Sequence, residues 1–326
     1  MERILVVGGA GYIGSHACKA IAARGIEPIV FDNLSTGHKH AVKWGELAIG
    51  DIRVPQEIEG ALERYKPDAI MHFAACIEVG EGERHPLKFW TNNTGGVINL
   101  LNGMSKTGIE NVVFSSTCAV YGQPDAIPIT ERQACNPVSV YGRTKRAVEE
   151  MMIDLSNAGG IRCAILRYFN AAGASSDGDI GEEHDPETHL IPNALKSASG
   201  LGARMKLFGT DYPTRDGTNI RDYIHVMDLA DAHLAAVDKL ASGDRLIVTN
   251  LGTGTGVTVL EILRSIERVT GLKPLYDVCD RRPGDAAALS ASTAHAAELL
   301  GFRPKRSDID TIIADAWRFH RRKWGV

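Results

Sequence analysis

An apolar tetrad, Ile4-Leu5-Val6-Val7, runs directly into Gly8-Gly9-Ala10-Gly11-Tyr12-Ile13-Gly14 and then into a helical pattern over residues 15–24. Strand, tight glycine turn and helix in that order commit the chain to a βα unit that presents a helix N-terminus at a strand end. Unpartnered N–H groups and the helix dipole make such a turn an anion site, and the absence of side chains lets a pyrophosphate approach the backbone. The glycines fit two registers, Gly8, Gly11, Gly14 or Gly9, Gly11, Gly14. Asp32 closes the next apolar run 18 residues past Gly14. A carboxylate there accepts hydrogen bonds from an adenosine ribose diol and repels a 2′-phosphate, which favours NAD over NADP. The plainer alternatives are a glycine turn with no ligand and, for Asp32-Asn33-Leu34-Ser35-Thr36-Gly37, an ordinary Asx turn. Asp51, after Gly50, fits either an adenine contact or a cap on the following helix.

Short apolar runs at 4–7, 27–31, 47–49, 69–72, 111–115 and 163–167 alternate with helical patterns. That alternation predicts an α/β fold: a doubly wound parallel, Rossmann-type sheet with ligands at the strand C-termini. After Asn170 the texture turns to Gly, Asp, His and Pro, and periodicity is weak until Leu190. Helix-like runs at 226–240 and 259–269, with a strand-like run at 246–250, return the chain to the main sheet. The expected division is an NAD-binding domain of residues 1–169 and 219–252, and a smaller, discontinuous C-terminal substrate domain of 170–218 and 253–326.

The 326 residues are 44% hydrophobic, enough for a sizeable core, and the net charge of -4 argues against nucleic acid or an acidic membrane surface as partner. Six cysteines without C-x-x-C spacing read as buried free thiols. The strand begins by residue 3, leaving no room for a leader, and no apolar run approaches the roughly 18 residues of a membrane span. A cytoplasmic location is expected. The basic tail 318–323 reads as the solvated face of a terminal helix.

Tyr141 and Lys145 stand four apart in a helical stretch, so one helix face carries a phenol beside an ammonium. A tyrosine with its usual pKa near 10 is a poor base at neutral pH. An ammonium about 5 Å away, at an effective dielectric near 20, contributes about 3 kcal/mol, or about two pKa units. A nicotinamide ring's positive charge adds to this, and Lys145 is also suited to hold the nicotinamide ribose. Thr117 closes the run 111–116 and offers a hydroxyl to the substrate oxygen being deprotonated, with Ser115 and Ser116 competing for the role. Taken alone, Y-x-x-x-K is common surface decoration; its weight comes from following a dinucleotide turn and a strand that ends in hydroxyls.

Further motifs are His-Phe-Ala-Ala at 72–75, Ser-Ser-Thr-Cys-Ala-Val-Tyr-Gly at 115–122, Tyr-Gly-Arg-Thr-Lys at 141–145, Arg-Tyr-Phe-Asn at 167–170, Gly-Thr-Asp-Tyr-Pro-Thr-Arg-Asp-Gly-Thr at 209–218, Arg-Asp-Tyr-Ile-His-Val at 221–226 and Arg-Arg-Pro-Gly-Asp at 281–285. Through them, over essentially its whole length, the chain resembles the UDP-sugar 4-epimerases of the extended short-chain dehydrogenase/reductase family. The resemblance implies a tightly held NAD, reduced and reoxidised within one turnover. It implies Tyr141 as the base that deprotonates the sugar 4-hydroxyl, a 4-keto sugar that rotates, and return of hydride to the opposite face. It places Tyr12, Ile13, Asp32, Asn33, Asp51, Ile52, Phe73, Ala74, Asn92, Tyr141, Lys145, Tyr168 and Phe169 along NAD, with Gly8, Gly11 and Gly14 in the turn. Asn170, His189, Leu190, Phe208, Arg221, Arg282 and Asp285 would meet the UDP-sugar, together with Thr117 and Tyr141.

Guanidinium forks suit pyrophosphate oxygens, which gives Arg221 and Arg282 a physical reason to be there; the bland reading is surface pairing with Asp222 or Asp285. Ile77 stands where relatives carry a lysine, Thr117 where serine is frequent and His189 where asparagine is frequent. Leu289 falls where bulk governs admission of N-acetylated sugars, so hexose, N-acetylhexosamine and pentose all remain open. The relatives imply a homodimer, and Val148, Met151 and Met152 suit either that interface or the core. His184, Asp185 and His189 could be taken for metal ligands, but Pro186 breaks any helix across them and they are expected to be loop residues, with no metal. Two rivals stand beside the epimerase. A nucleotide-sugar dehydratase or decarboxylase would share the first oxidation, but dehydratases place acids after the active-site threonine, where Cys118 and Ala119 stand here. An NAD-sensing regulatory module would need the glycines and not the Tyr141/Lys145 pair.

Overall fold

A computed structural model describes residues 1–282 and 284–326; Pro283, within the 281–285 motif, lies outside the described residues. The strands are β1 (Arg3–Val7), β2 (Glu27–Asp32), β3 (Glu46–Ile49), β4 (Ala69–His72), β5 (Asn111–Thr117), β6 (Arg162–Tyr168), β7 (Asn170–Ala172), β8 (Met205–Phe208), β9 (Ile220–Arg221), β10 (Tyr223–His225), β11 (Leu246–Leu251), β12 (Val257–Thr258), β13 (Tyr276–Cys279) and β14 (Ala288–Leu289). The helices are α1 (Tyr12–Ala23), α2 (Pro55–Tyr65), α3 (Val79–Arg84), α4 (Pro86–Phe89), α5 (Gly96–Thr107), α6 (Val140–Asn157), α7 (Leu190–Ala198), α8 (Val226–Ala241), α9 (Val259–Thr270), α10 (Ala294–Leu300) and α11 (Ile309–Trp324).

Seven strands form one sheet in the order β11-β6-β5-β4-β1-β2-β3. Every pairing in it is parallel. The expected Rossmann-type sheet is present, and β11 shows the chain returning to it. Strand periodicity explains the two layers of helices. Ile4 and Val6 of β1 point into a core shared with α1 and α8. Leu5 and Val7 point the opposite way, into a core with α2, α5 and α6. A strand buried on both faces needs a continuous apolar run, which Ile4-Leu5-Val6-Val7 supplies.

Three small sheets, β7 with β10, β12-β9-β14 and β8 with β13, are built from segments between Asn170 and Leu289. A separate core gathers Ile191 and Leu195 of α7, Ile262 and Ile266 of α9, and Ile312 and Ile313 of α11. Helix α9 is closed at its start by the reciprocal Thr258/Glu261 capping box and ends at Gly271 in the left-handed conformation. The basic tail lies on α11, with Arg321, Arg322 and Lys323 exposed and Phe319 and His320 buried.

One open reading is decided and one expectation changes. Val148 and Met152 are fully buried against the sheet, so they belong to the core, and only Met151 of the trio is partly exposed. All six cysteines are free, but just Cys18 and Cys163 are buried; the other four are half-buried.

Candidate active site

Parallel strands place their C-termini on one rim, and the chain loads that rim. Gly8 follows β1, Asp32 closes β2, Phe73 and Ala74 follow β4, Thr117 closes β5, and Tyr168 and Phe169 end and follow β6. The order changes direction at β1 and β4, so the ligand crevice opens there.

The glycine register is settled by geometry. Gly8 has φ +83°, and a Cβ on it would lie 2.6 Å from the Ala74 nitrogen. A Cβ on Gly14 would lie 2.1 Å from the Gly8 oxygen. Gly8 thus makes the turn, Gly14 lets α1 meet it, and Gly11 caps α1 with no side-chain hydrogen bond and no acidic residue in the first turn. The cradle therefore fits a dinucleotide pyrophosphate: its first-turn N–H groups face an open, side-chain-free turn.

Asp32 combines both of its readings. Its Oδ1 accepts from the Leu34 nitrogen at 2.8 Å, an Asx turn, while Oδ2 accepts from the Ala10 nitrogen at 2.9 Å and so holds the glycine loop. Each oxygen keeps a lone pair for a ribose hydroxyl, and burial raises the carboxyl's pKa. Asn33 donates to Asp51 Oδ2 at 3.0 Å. Asp51 does not cap α2, whose N-cap is Val54; it pairs instead with the Arg53 guanidinium, which holds its carboxyl far below the usual range. Tyr12 and Ile13 open α1, with the Tyr12 hydroxyl donating to the Gly173 carbonyl at 2.7 Å. Ile52 is buried beside the β3 end.

Asn92 lies in a π-helical stretch, Trp90–Gly95, between α4 and α5. Its neighbour Asn93 carries more structure than the sequence indicated. Asn93 Oδ1 accepts from the Cys76 nitrogen at 2.8 Å, and its amide donates to Cys76 O at 3.0 Å and to Thr144 Oγ1 at 3.1 Å. It ties the segment after β4 to α6, and no local pattern marks it.

Helix α6 starts at Ser139, whose hydroxyl accepts from the Gly142 nitrogen, and carries Tyr141 and Lys145 to the β5 end. Lys145 is buried, donates to the Ser115 carbonyl at 2.9 Å, and lies 5.9 Å from the centroid of the Tyr141 ring. The three hydroxyls separate. Ser115 Oγ bonds the Tyr168 hydroxyl, and Ser116 Oγ donates to Glu149. Thr117 Oγ1 accepts from the Ala119 nitrogen at 3.1 Å, and Thr117 acts to lower the pKa of the Tyr141 phenol.

The electrostatics differ from expectation. Burial, and then the Tyr168 phenol, hold Tyr141 above the ordinary tyrosine value, and Lys145 is not among the groups that lower it. Burial also pulls Lys145 down from 10.5 to about 7, opposed by Glu149. Desolvation of the two groups outweighs their mutual attraction, so in the protein alone the phenol is protonated.

Glu149 and Arg167 were not anticipated. Arg167 Nε and Nη2 meet Glu149 Oε1 and Oε2 at 2.9 and 2.7 Å, and both side chains are almost wholly buried. A signal was present: an acid four residues past Lys145 on the same face, and an arginine inside an otherwise apolar strand.

The substrate-side residues gather around the small sheets. Asn170 begins β7 and Leu190 begins α7. Arg282 stacks its guanidinium 3.9 Å over the Phe208 ring. Arg221 is half-buried and donates to the carbonyls of Ile220 and Ala286 at 2.8 and 2.9 Å; of the two acids suggested as its partners it reaches Asp285, at 3.5 Å. Asp222 is fully buried and accepts instead from the nitrogens of Thr253, Gly254 and Ala291. Leu289 lies in register with Arg221, and Ile77 is exposed. His189 turns its ring toward Glu182 and Glu187.

A model of the NAD dependent epimerase/dehydratase family matches residues 4–252. The UDP-glucose 4-epimerase of Rhizobium meliloti (strain 1021) is 51% identical over 322 residues, covering 99% of this chain and 98% of that protein. Among solved structures, UDP-glucose 4-epimerase from Brucella ovis in complex with NAD superposes with a TM-score of 0.96 at 49% identity, covering 98% of each chain. The UDP-glucose-4-epimerase of Stenotrophomonas maltophila, with bound NAD and formylated UDP-arabinopyranose, gives 0.97 at 37% identity over 100% of this chain and 99% of that one.

Proposed function

The chain belongs to the NAD dependent epimerase/dehydratase family, and from that premise we propose that it interconverts UDP-galactose and UDP-glucose as an NAD-dependent UDP-glucose 4-epimerase, with Tyr141, Thr117 and Lys145 as its catalytic residues. The observation that carries this reading is the placement of Tyr141, Thr117 and Lys145 on the same sheet rim as the Gly8–Gly14 cradle. The cradle and Asp32 hold the pyrophosphate and adenosine ribose, with Phe73, Ala74, Asn92, Tyr168 and Phe169 along the remaining length. When bound, NAD supplies the acceptor and donor of hydride at sugar C4 and a positive ring beside the phenol. Tyr141 takes the 4-hydroxyl proton at its phenolic oxygen and returns it after the 4-keto sugar has turned over. Thr117 shares a hydrogen bond with the same sugar oxygen, Lys145 steadies the ribose, and the phenolate that Tyr141 needs would be favoured by the positive nicotinamide ring. Arg221 and Arg282 clamp the UDP pyrophosphate by bidentate donation. Asn170, Leu190, Phe208 and Asp285 line the remaining UDP-sugar site.

The test is incubation with UDP-galactose without added NAD. UDP-glucose should form with no accumulation of NADH; no conversion of any UDP-hexose, UDP-N-acetylhexosamine or UDP-pentose defeats the reading.

Residues 1–169 with 219–252 are assigned to NAD, and 170–218 with 253–326 to the UDP-sugar. A cytoplasmic homodimer completes the proposal. Six free thiols suit a reducing compartment. Among the described residues, no helix is long and apolar enough to cross a membrane. Trp90, on the stretch leading into α5, and Ile98, in the first turn of α5, are 38% and 43% exposed and offer apolar surface to a second copy. Sedimentation equilibrium on Ile98→Glu should show monomers.

A further inference from the structure

The loop between β7 and α7 brings four potential ligands together: Glu182, His184, Glu187 and His189 each offer one atom, and all four lie within 4.8 Å of one another. Asp185, considered from sequence, points to solvent and takes no part. His189 Nδ1 lies 2.9 Å from Glu182 Oε1 and 3.2 Å from Glu187 Oε1. His184 Nδ1 lies 3.6 Å from Glu182 Oε1 and 3.5 Å from Glu187 Oε2. Ligand atoms placed tetrahedrally about 2.0–2.1 Å from an ion stand about 3.3 Å from each other. The His–Glu contacts bracket that value, although His184 and His189 meet different oxygens of Glu187, and pairs spread toward the 4.8 Å limit would draw together around an ion.

Two further features suit an ion at this point. The Glu182 side chain is only 6% exposed and faces both histidines, so a divalent ion at their centre would balance the buried charge that a protonated His189 otherwise balances. His184 Nδ1 is buried and, among the described residues, makes no hydrogen bond. All four groups come from eight consecutive residues, so little chain entropy is lost in bringing them to one point.

We propose that Glu182, His184, Glu187 and His189 form a four-coordinate site for a divalent transition metal, with zinc the best match. Two imidazoles and two carboxylates suit zinc. Calcium and magnesium take six or more oxygens. Four protein ligands leave no open position, which makes the ion structural. It would fasten the loop just before Leu190 and beside the dinucleotide turn: the His184 ring meets Tyr12 edge-on at 6.4 Å between centroids.

The experiment is titration of chelator-treated full-length protein with Co²⁺, followed by competition with Zn²⁺. One equivalent of cobalt should give the intense visible bands of four-coordination, bleached by zinc, and zinc should raise the thermal midpoint. His184→Ala and Glu187→Gln should each weaken binding at least tenfold, whereas His40→Ala, which alters a surface histidine, should not. Glu187→Gln preserves shape and answers the question if His184→Ala fails to fold. Weak six-coordinate spectra, no stoichiometric binding, or binding unchanged in the soluble ligand variant would overturn the proposal.

Discussion

Glu149 and Arg167 form a two-pronged ion pair beneath the reactive rim, joining the helix that bears Tyr141 to the strand beside the one that ends in Thr117. Ser116 and Tyr121 complete it, the former donating to Glu149 and the latter accepting from Arg167 at 2.9 Å. Removing one partner strands a buried charge. Glu149→Leu or Arg167→Met should therefore cost about 3–5 kcal/mol in urea unfolding, while the double variant should recover most of that loss. Additive single losses would show that the pair itself is not the unit.

Tyr141→Phe keeps the ring and removes the proposed proton carrier. Turnover of UDP-galactose should fall by about 10²–10⁴-fold while bound NAD, read from absorbance of the released nucleotide, stays at wild-type occupancy. Unchanged turnover would move the base elsewhere.

Gly14→Ala puts a Cβ where the Gly8 oxygen lies 2.1 Å away, a contact that only backbone movement relieves. A loss of about 1–3 kcal/mol in stability is expected, with a steep fall in retained NAD. Gly60→Ala serves as the control for NAD retention, because nothing lies within 4 Å of a Cβ there and its backbone is helical. Equal NAD retention in the two variants would remove Gly14 from the cradle.

Burial lowers four histidines from 6.5: His16, His233 and His320 to about 4 and His72 to about 3. The unfolded chain therefore binds protons first as pH falls below about 6.5, so stability holds above that pH and declines on the way to about 4. Each group contributes a slope of up to about 1.4 kcal/mol per pH unit. Urea midpoints measured from pH 7.5 to 5 should fall, and less steeply in His72→Leu. A flat profile contradicts the buried, neutral imidazoles.

Leu289 sits in register with Arg221 and packs near Tyr121 and Phe169. Leu289→Ser should raise conversion of UDP-N-acetylglucosamine relative to UDP-glucose by about tenfold, the scale of a small change in pocket volume. Competition assays with both sugars give the ratio directly.

Sequence alone determined what depends on short-range order. The Ile4–Gly14 run, the acid at 32 and the Tyr141/Lys145 spacing each follow from periods of one strand or one helix turn, and they dictate sheet type, cofactor class and the reactive helix face. Tertiary structure decided what depends on distance and solvent. It set Gly8 against the Ala74 backbone and tied Ser115 and Ser116 to Tyr168 and Glu149. It buried Val148 and Met152, and drew Glu182 and Glu187 around two histidines. It also reversed the expected balance between Tyr141 and Lys145. Desolvation is set by everything packed around a group, and the spacing of two residues along a helix carries no record of that surrounding.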